Sequence, residues 1–192
     1  MTAQFRLPHR PTRSAGFTMI EMMVVTVILA VLLAMAVPSM REFAARKRVE
    51  GVAQELATDL RLLKSQQIQR RQLVVMAFSR NASVTCYSLY QEGPAGDSCD
   101  CTNPLGACPD WGDGSGSLEI KTVVLPISSG VTLDASPDSL RLFGFNAMPV
   151  GNATIRVAVR STTGGAVQVS TNPLAMPVMC SISGSSYRLP AC

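Results

Sequence analysis

Hydrophobic positions follow two patterns that change near residue 71. From Phe17 to Met40 the side chains are almost continuously apolar, and the one ionisable group is Glu21. As an α-helix rising about 1.5 Å per residue, this stretch is long enough to cross a hydrocarbon core of about 30 Å. After Pro38 the pattern turns amphipathic. Val49, Val52, Ala53, Leu56, Leu60 and Leu63 lie on one face of a 3.6-residue period. Arg46, Lys47, Arg48, Glu50, Asp59, Arg61 and Lys64 fall mostly on the other faces. One helix is therefore predicted from about Phe17 to about Arg70, with residues 17–40 spanning a membrane and residues 41–71 packing on a domain. Pro38 removes a helix hydrogen bond and crowds the preceding turn, so a kink or local melting is expected there, where the apolar stretch ends. Gly51 weakens the helix by about 1 kcal/mol relative to Ala without breaking it.

Beyond Gln72 the period becomes that of short strands: Leu73–Phe78, Ser83–Tyr90, Leu118–Leu125, Val131–Leu133, Leu140–Phe145, Thr154–Val159, Ala166–Ser170 and Val178–Ile182. Each is bounded by Gly, Pro, Asn or Ser, as in antiparallel sheets. Ile155, Val157 and Val159 alternate cleanly onto one face, and Thr162-Thr163-Gly164-Gly165 turns into Ala166–Val169, forming a hairpin. A helix face packed on antiparallel strands is an α+β architecture, with a β-rich head over residues 72–192.

Residues 91–117 form a long Gly/Pro/Asp segment carrying Cys99, Cys101 and Cys108, with Cys86 just upstream. Loops of this length in compact domains are functional or cross-linked. Cys99 and Cys101 rarely pair when so close, so each is expected to reach Cys86 or Cys108, while Cys180 and Cys192 close a C-terminal loop. An even count of six cysteines, all beyond the apolar stretch, fits disulfides in an oxidising compartment. Zinc is the alternative for the first four, but Cys99 and Cys101 lack its usual ligand spacing. Asp110 and Asp113 are close enough to raise calcium, yet they match no EF-hand spacing. Trp111 reads as the packing anchor of this loop. No resident metal or cofactor is expected.

The net charge of +4 is concentrated at the start of the chain. Met1–Gly16 holds Arg6, Arg10, Arg13 and no acid, and also the sole histidine, His9. Everything after Gly16 therefore lacks histidine for general-base, nucleophile-pair or metal chemistry, and the chain is not expected to be an enzyme. Charge is also segregated farther on. Asn81–Ile120 carries six acids and no Lys or Arg, whereas Ser139–Cys192 carries Arg141, Arg156, Arg160, Arg188 and no acid. The run Arg46-Lys47-Arg48 reads as a solvated helix face, with lipid headgroups as its alternative contact.

A secretory signal peptide is cut after its apolar region. Here small Gly16 precedes that region, so cutting after it removes the charges and keeps the helix. Arg6, Arg10 and Arg13 hold this end in the cytoplasm and leave the head outside. Gly16-Phe17-Thr18-Met19-Ile20-Glu21 resembles the processing and methylation motif of type IV pilins and type II secretion pseudopilins. The resemblance implies that prepilin peptidase removes residues 1–16 by cutting between Gly16 and Phe17, and that the new Phe17 amine is N-methylated. It also implies that Glu21 brings an incoming subunit into register in a filament. Physically, a carboxylate within lipid is tolerable when a cation such as a neighbour's terminal amine pairs with it.

Ala45-Arg46-Lys47-Arg48-Val49-Glu50, the helix end near Gln69-Arg70-Arg71 and the following strands are similar to the FimT/GspH group of minor pilins and pseudopilins. That similarity implies a pilin-like helix packed on two antiparallel sheets in a sandwich-like head, periplasmic behind an inner-membrane anchor. It further implies, as partners, other pilins or pseudopilins and the inner-membrane assembly platform. Some members are pilus-borne DNA receptors for natural transformation and carry a Gly-Arg-x-Arg element near the C-terminus. Here the tail reads Ser183-Gly184-Ser185-Ser186-Tyr187-Arg188-Leu189, with one arginine. Arg156, Arg160 and Arg188 are the DNA-binding candidates of that alternative, and a solvated surface is their plainer reading.

Overall fold

The structure is a computed structural model, and residues 16–109, 112, 114–143, 148–149, 155–162, 165–182 and 187–192 are described. The chain divides into two compact units, Met1–Met40 and Arg41–Cys192. Helix α1, Met19–Arg70, contributes to both, and its assignment is continuous through Pro38. Its start is set by Thr18, whose hydroxyl accepts the Glu21 N–H at 3.3 Å and whose carbonyl accepts the Met22 N–H at 3.2 Å. A threonine cap with Glu three residues on is the capping-box spacing, and it puts Glu21 in the first turn, where the helix dipole favours negative charge. At the other end Arg71 takes φ 57° and returns its N–H to the Gln67 carbonyl, closing the last turn.

In the first unit every described side chain from Phe17 to Val37 is exposed, although mean hydropathy over its most apolar window reaches 2.7. A helix apolar on all sides needs an apolar surrounding.

The second unit is built on two antiparallel sheets. The first has order β3-β2-β1-β5-β6, from β1 (Val74–Arg80), β2 (Val84–Gln91), β3 (Leu118–Pro126), β5 (Ser139–Phe143) and the two-residue β6 (Met148–Pro149). The second has order β4-β7-β8-β9, from β4 (Val131–Ser136), β7 (Arg156–Ser161), β8 (Gly165–Thr171) and β9 (Pro177–Ser181). The chain changes sheet through a short 3-10 turn at Ile127–Ser129, again after β4, and a third time before β7. Every strand run read from the sequence is present in its described part, Gly144, Phe145 and Thr154 lying outside the described residues, and β6 is additional. This is an α+β, pilin-like arrangement.

One core joins the helix to both sheets. Val49, Ala53, Leu56, Leu60 and Leu63 of α1 meet Val74, Met76, Tyr87, Leu89, Leu140 and Leu142 of the first sheet and Val131, Val157, Val159, Val167 and Val169 of the second. The alternation of β7 does what its pattern requires: Val157 and Val159 are fully buried, while Arg156 and Arg160 face out. The hairpin is also present, pairing Ser161 with Gly165.

Asp59 corrects the helix reading. It is only 3% exposed rather than on an outer face. Its carboxylate accepts the Tyr87 hydroxyl at 2.8 Å and the Lys121 ammonium at 2.7 and 2.8 Å, and Lys121 also reaches Glu55 at 3.1 Å. Asp59 lies three residues after Leu56 and four before Leu63, so it belongs to the core-facing stripe by position.

The 91–117 segment folds back on the outer face of the first sheet. Cys86 bonds Cys101, and Cys99 bonds Cys108. Cys99 then packs on Val75 and Tyr90, the side chains of β1 and β2 that point away from the main core. Strand β2 is therefore buried on both faces. The loop is strapped shut by Ser117, whose hydroxyl accepts the Gly93 N–H at 3.2 Å and donates to the Asp97 carbonyl at 2.7 Å. Gly93 is needed for close approach, because a Cβ there would lie 2.3 Å from the Gly116 carbonyl oxygen.

Candidate functional site

The sequence motif at the N-terminus occupies the start of α1. Gly16 and Phe17 are exposed ahead of the helix, and a Cβ built on Gly16 meets nothing within 4 Å. Among the described residues none approaches that position closely. Thr18 caps the helix, and Glu21 projects one residue into an otherwise apolar span. The capping-box spacing from Thr18 to Glu21 was present in the sequence as a Thr-x-x-Glu signal.

In the head, the cysteines are all consumed. Cys86–Cys101, Cys99–Cys108 and Cys180–Cys192 are bonded and no described cysteine is free. None remains as a thiolate ligand for zinc. Asp110, Asp113 and Trp111 lie outside the described residues.

The candidate arginines do not converge. Arg156 and Arg160 share the outer face of β7, and the Arg160 Nε lies 3.3 Å from an Asp134 oxygen. Asp134 also pairs with Arg80 at 2.9 Å, so one carboxylate sits between two guanidinium groups. Arg188 lies elsewhere, in a cleft of about 480 Å³ with Phe43, Arg46, Lys47, Glu50 and Tyr187. A second cleft of about 300 Å³ is lined by Arg41, Ala44, Ala45, Arg48, Ser128, Ser129, Gly130, Ser161 and Thr162. There Arg48 donates to the Ser129 carbonyl at 3.3 Å. The sequence grouped Arg188 with the β7 arginines, and the fold groups it with the helix cations.

Burial dominates the titration behaviour of the tyrosines in the head. Tyr87 is pushed far above the ordinary phenol range by burial, reinforced by its bond to Asp59 and the charges of Asp59 and Glu55. Burial also raises Tyr90 and Tyr187. Burial alone would lower Lys121, but its hydrogen bonds to Asp59 and Glu55 outweigh that and raise it. These groups hold structure together; among the described residues no cluster of His, Cys, Asp and Glu is arranged to hold a metal ion.

Comparison with known proteins locates the one recognisable feature at the N-terminus. Residues 11–37 match the family described as the prokaryotic N-terminal methylation motif. No curated protein and no solved structure matches the chain. The chain therefore carries a prokaryotic N-terminal methylation motif that runs into a long apolar helix, an arrangement typical of the leaders of type IV pilins and pseudopilins.

Proposed function

We propose that the chain is a minor pilin or pseudopilin of the FimT/GspH type, a structural subunit that assembles or initiates a type IV pilus or a type II secretion pseudopilus. In this reading residues 1–16 are a leader removed by prepilin peptidase, and Phe17 becomes the N-methylated first residue. Residues 17–40 anchor the subunit in the inner membrane, residues 41–71 continue as the periplasmic helix half, and residues 72–192 form the head. Pro38 is the position at which the helix can bend during assembly.

The observation that carries the reading is Glu21. It is the single ionisable side chain between Phe17 and Met40, four residues after Phe17. A carboxylate at the centre of a membrane helix costs roughly 2.5–3.5 kcal/mol on insertion scales, and Glu21, in the first turn, bears a smaller part of that cost for which an anchor alone gives no reason. An amine generated by cutting at Phe17 on a neighbouring subunit offsets that cost. The partners are accordingly other pilins or pseudopilins, the assembly platform and the peptidase. DNA reception gains no support from the head, where Arg160 is paired with Asp134 and Arg188 lies in a different cleft.

The test is Glu21→Leu in cells making the filament. The variant should insert and lose its leader, shown by the mass of the mature chain, yet be absent from sheared filaments. Normal incorporation would sink the proposal.

A further inference from the structure

The second unit begins with a concentration of cations. Arg41, Arg46, Lys47 and Arg48 lie within eight residues of Met40, against Glu42 and Glu50. Two clefts carry these cations. One holds Arg41 and Arg48 and no acid. The other, of about 480 Å³, holds Arg46, Lys47 and Glu50 on α1 and Tyr187 and Arg188 on the C-terminal segment. That segment is held in place by the Cys180–Cys192 bond and by the Ser181–Ala191 bridge, which supply Arg188 as a third cation from a distant part of the sequence.

The existing ion pairs leave this cleft positive. Arg46 pairs with Glu42, and Lys47 donates to Glu50 at 2.7 Å. Among the described residues no carboxylate lies within ion-pair distance of Arg188. A guanidinium has five N–H donors and an ammonium three, so each of the paired cations keeps donors for a second acceptor. Phe43, 56% exposed, lies under Lys47 with the ammonium 5.9 Å from its ring centre. An exposed apolar ring just after an apolar span can lie against lipid, while long cationic side chains beside it reach out to the headgroups.

We propose that this cleft binds the phosphate of an anionic phospholipid headgroup through Arg46, Lys47 and Arg188, with Phe43 against the lipid. The proposal rests on the membrane-anchored reading of residues 17–40, and not on entry into a filament. Continuity with the span chooses lipid over other phosphates. In a helix the six residues from Met40 to Arg46 rise about 9 Å, comparable to the headgroup layer and to the Debye length at physiological salt. An exposed ion pair with a phosphate contributes up to about 1 kcal/mol, which is about a fivefold change in binding per residue.

The experiment uses the full chain in neutral detergent. Native mass spectrometry counts bound phosphatidylglycerol and phosphatidylcholine in competition, with inorganic phosphate and a short DNA duplex as separate competitors. The wild type should retain phosphatidylglycerol in clear preference, and added salt should erode the preference. Arg188→Gln and Lys47→Gln should each reduce it about fivefold, while Arg156→Gln, on the outer face of β7, should leave it unchanged. Retention of all three disulfides in each variant, read by thiol labelling, keeps misfolding from imitating the result. Equal retention of the two lipids, indifference to Arg188→Gln, or displacement by inorganic phosphate or DNA at the lipid's own concentration would each overturn the proposal. Because none of these readouts requires a filament, failure here is distinguishable from failure of Glu21→Leu to be excluded.

Discussion

Replacing Asp59 by alanine removes the acceptor on which helix and sheet meet. The carboxylate side chain is 4% exposed, and its two partners come from different strands, Tyr87 on β2 and Lys121 on β3. Breaking a buried ion pair by deleting one partner costs about 3–5 kcal/mol, because the other charge is left uncompensated. Lys121 is 34% exposed and keeps Glu55 at 3.1 Å, so much of its charge can be rehydrated and the lower end of that range applies. Tyr87 has no such escape: it is fully buried, and an orphaned buried hydroxyl costs about 1–3 kcal/mol. The expected loss for Asp59→Ala is therefore about 3 kcal/mol, more than a hundredfold in the folding equilibrium. Tyr87→Phe should cost less, about 1–2 kcal/mol, since Asp59 keeps both bonds to Lys121. Urea unfolding of the full chain in neutral detergent, disulfides intact, gives both values when followed by near-ultraviolet dichroism of the tyrosines. An Asp59→Ala loss under about 0.5 kcal/mol, the size of an ordinary surface substitution, would refute the reasoning. So would a Tyr87→Phe loss larger than that of Asp59→Ala.

Two further outcomes follow from the head. Tyr87, Tyr90, Tyr187 and Lys121 all have raised folded-state pKa values, so the stability they contribute is complete below their unfolded pKa values near 10 and is lost as pH rises through that range. Phenol absorbance should show tyrosines ionising later in the native than in the unfolded protein, with urea midpoints falling above about pH 10; coincident phenol titrations would contradict the assignment. Gly93→Ala should force apart the two ends of the disulfide loop, because its Cβ would lie 2.3 Å from the Gly116 oxygen, and should cost about 1–3 kcal/mol. Faster proteolysis within residues 91–117 than in the wild type is the readout, and an unchanged cleavage rate would count against the strap.

Elements whose pattern is local were legible in the sequence, and those that depend on a distant partner were not. The strands show because alternation of Val157 and Val159 with Arg156 and Arg160 is written into six consecutive residues. The end of α1 shows because the apolar stripe stops. Asp59 was misplaced because residue type outweighed position: a carboxylate reads as solvent-facing, and its burial follows only from Lys121 arriving on β3 62 residues later. The second buried face of β2 was hidden for a similar reason. Cys86, Ser88 and Tyr90 look like an outward polar row until the disulfide loop covers them. The cleft at Arg188 requires the C-terminal disulfide to bring residue 188 beside residues 43–50, a closure that spacing alone does not direct to α1.

Charge segregation illustrates how folding can reverse a sequence-level inference. An acidic middle and a basic C-terminal third imply a head with opposed charged faces, and hence a basic surface available to a polyanion. The fold instead interleaves them. Arg141 of β5 lies 3.5 Å from Glu92 at the start of the acidic loop, because β5 pairs with β1, whose other neighbour, β2, runs into that loop. Arg160 of β7 meets Asp134 of the adjoining β4, which also takes Arg80 from the other sheet. Two of the four C-terminal arginines are thus paired at the surface, where such pairs contribute little stability but do cancel local potential. A field strong enough to steer a phosphate chain needs several uncompensated cations in one place. Among the described residues the excess of cations over acids is at the clefts beside residues 41–50, where Arg41, Arg46, Lys47, Arg48 and Arg188 stand against Glu42 and Glu50, rather than on the outer face of the second sheet.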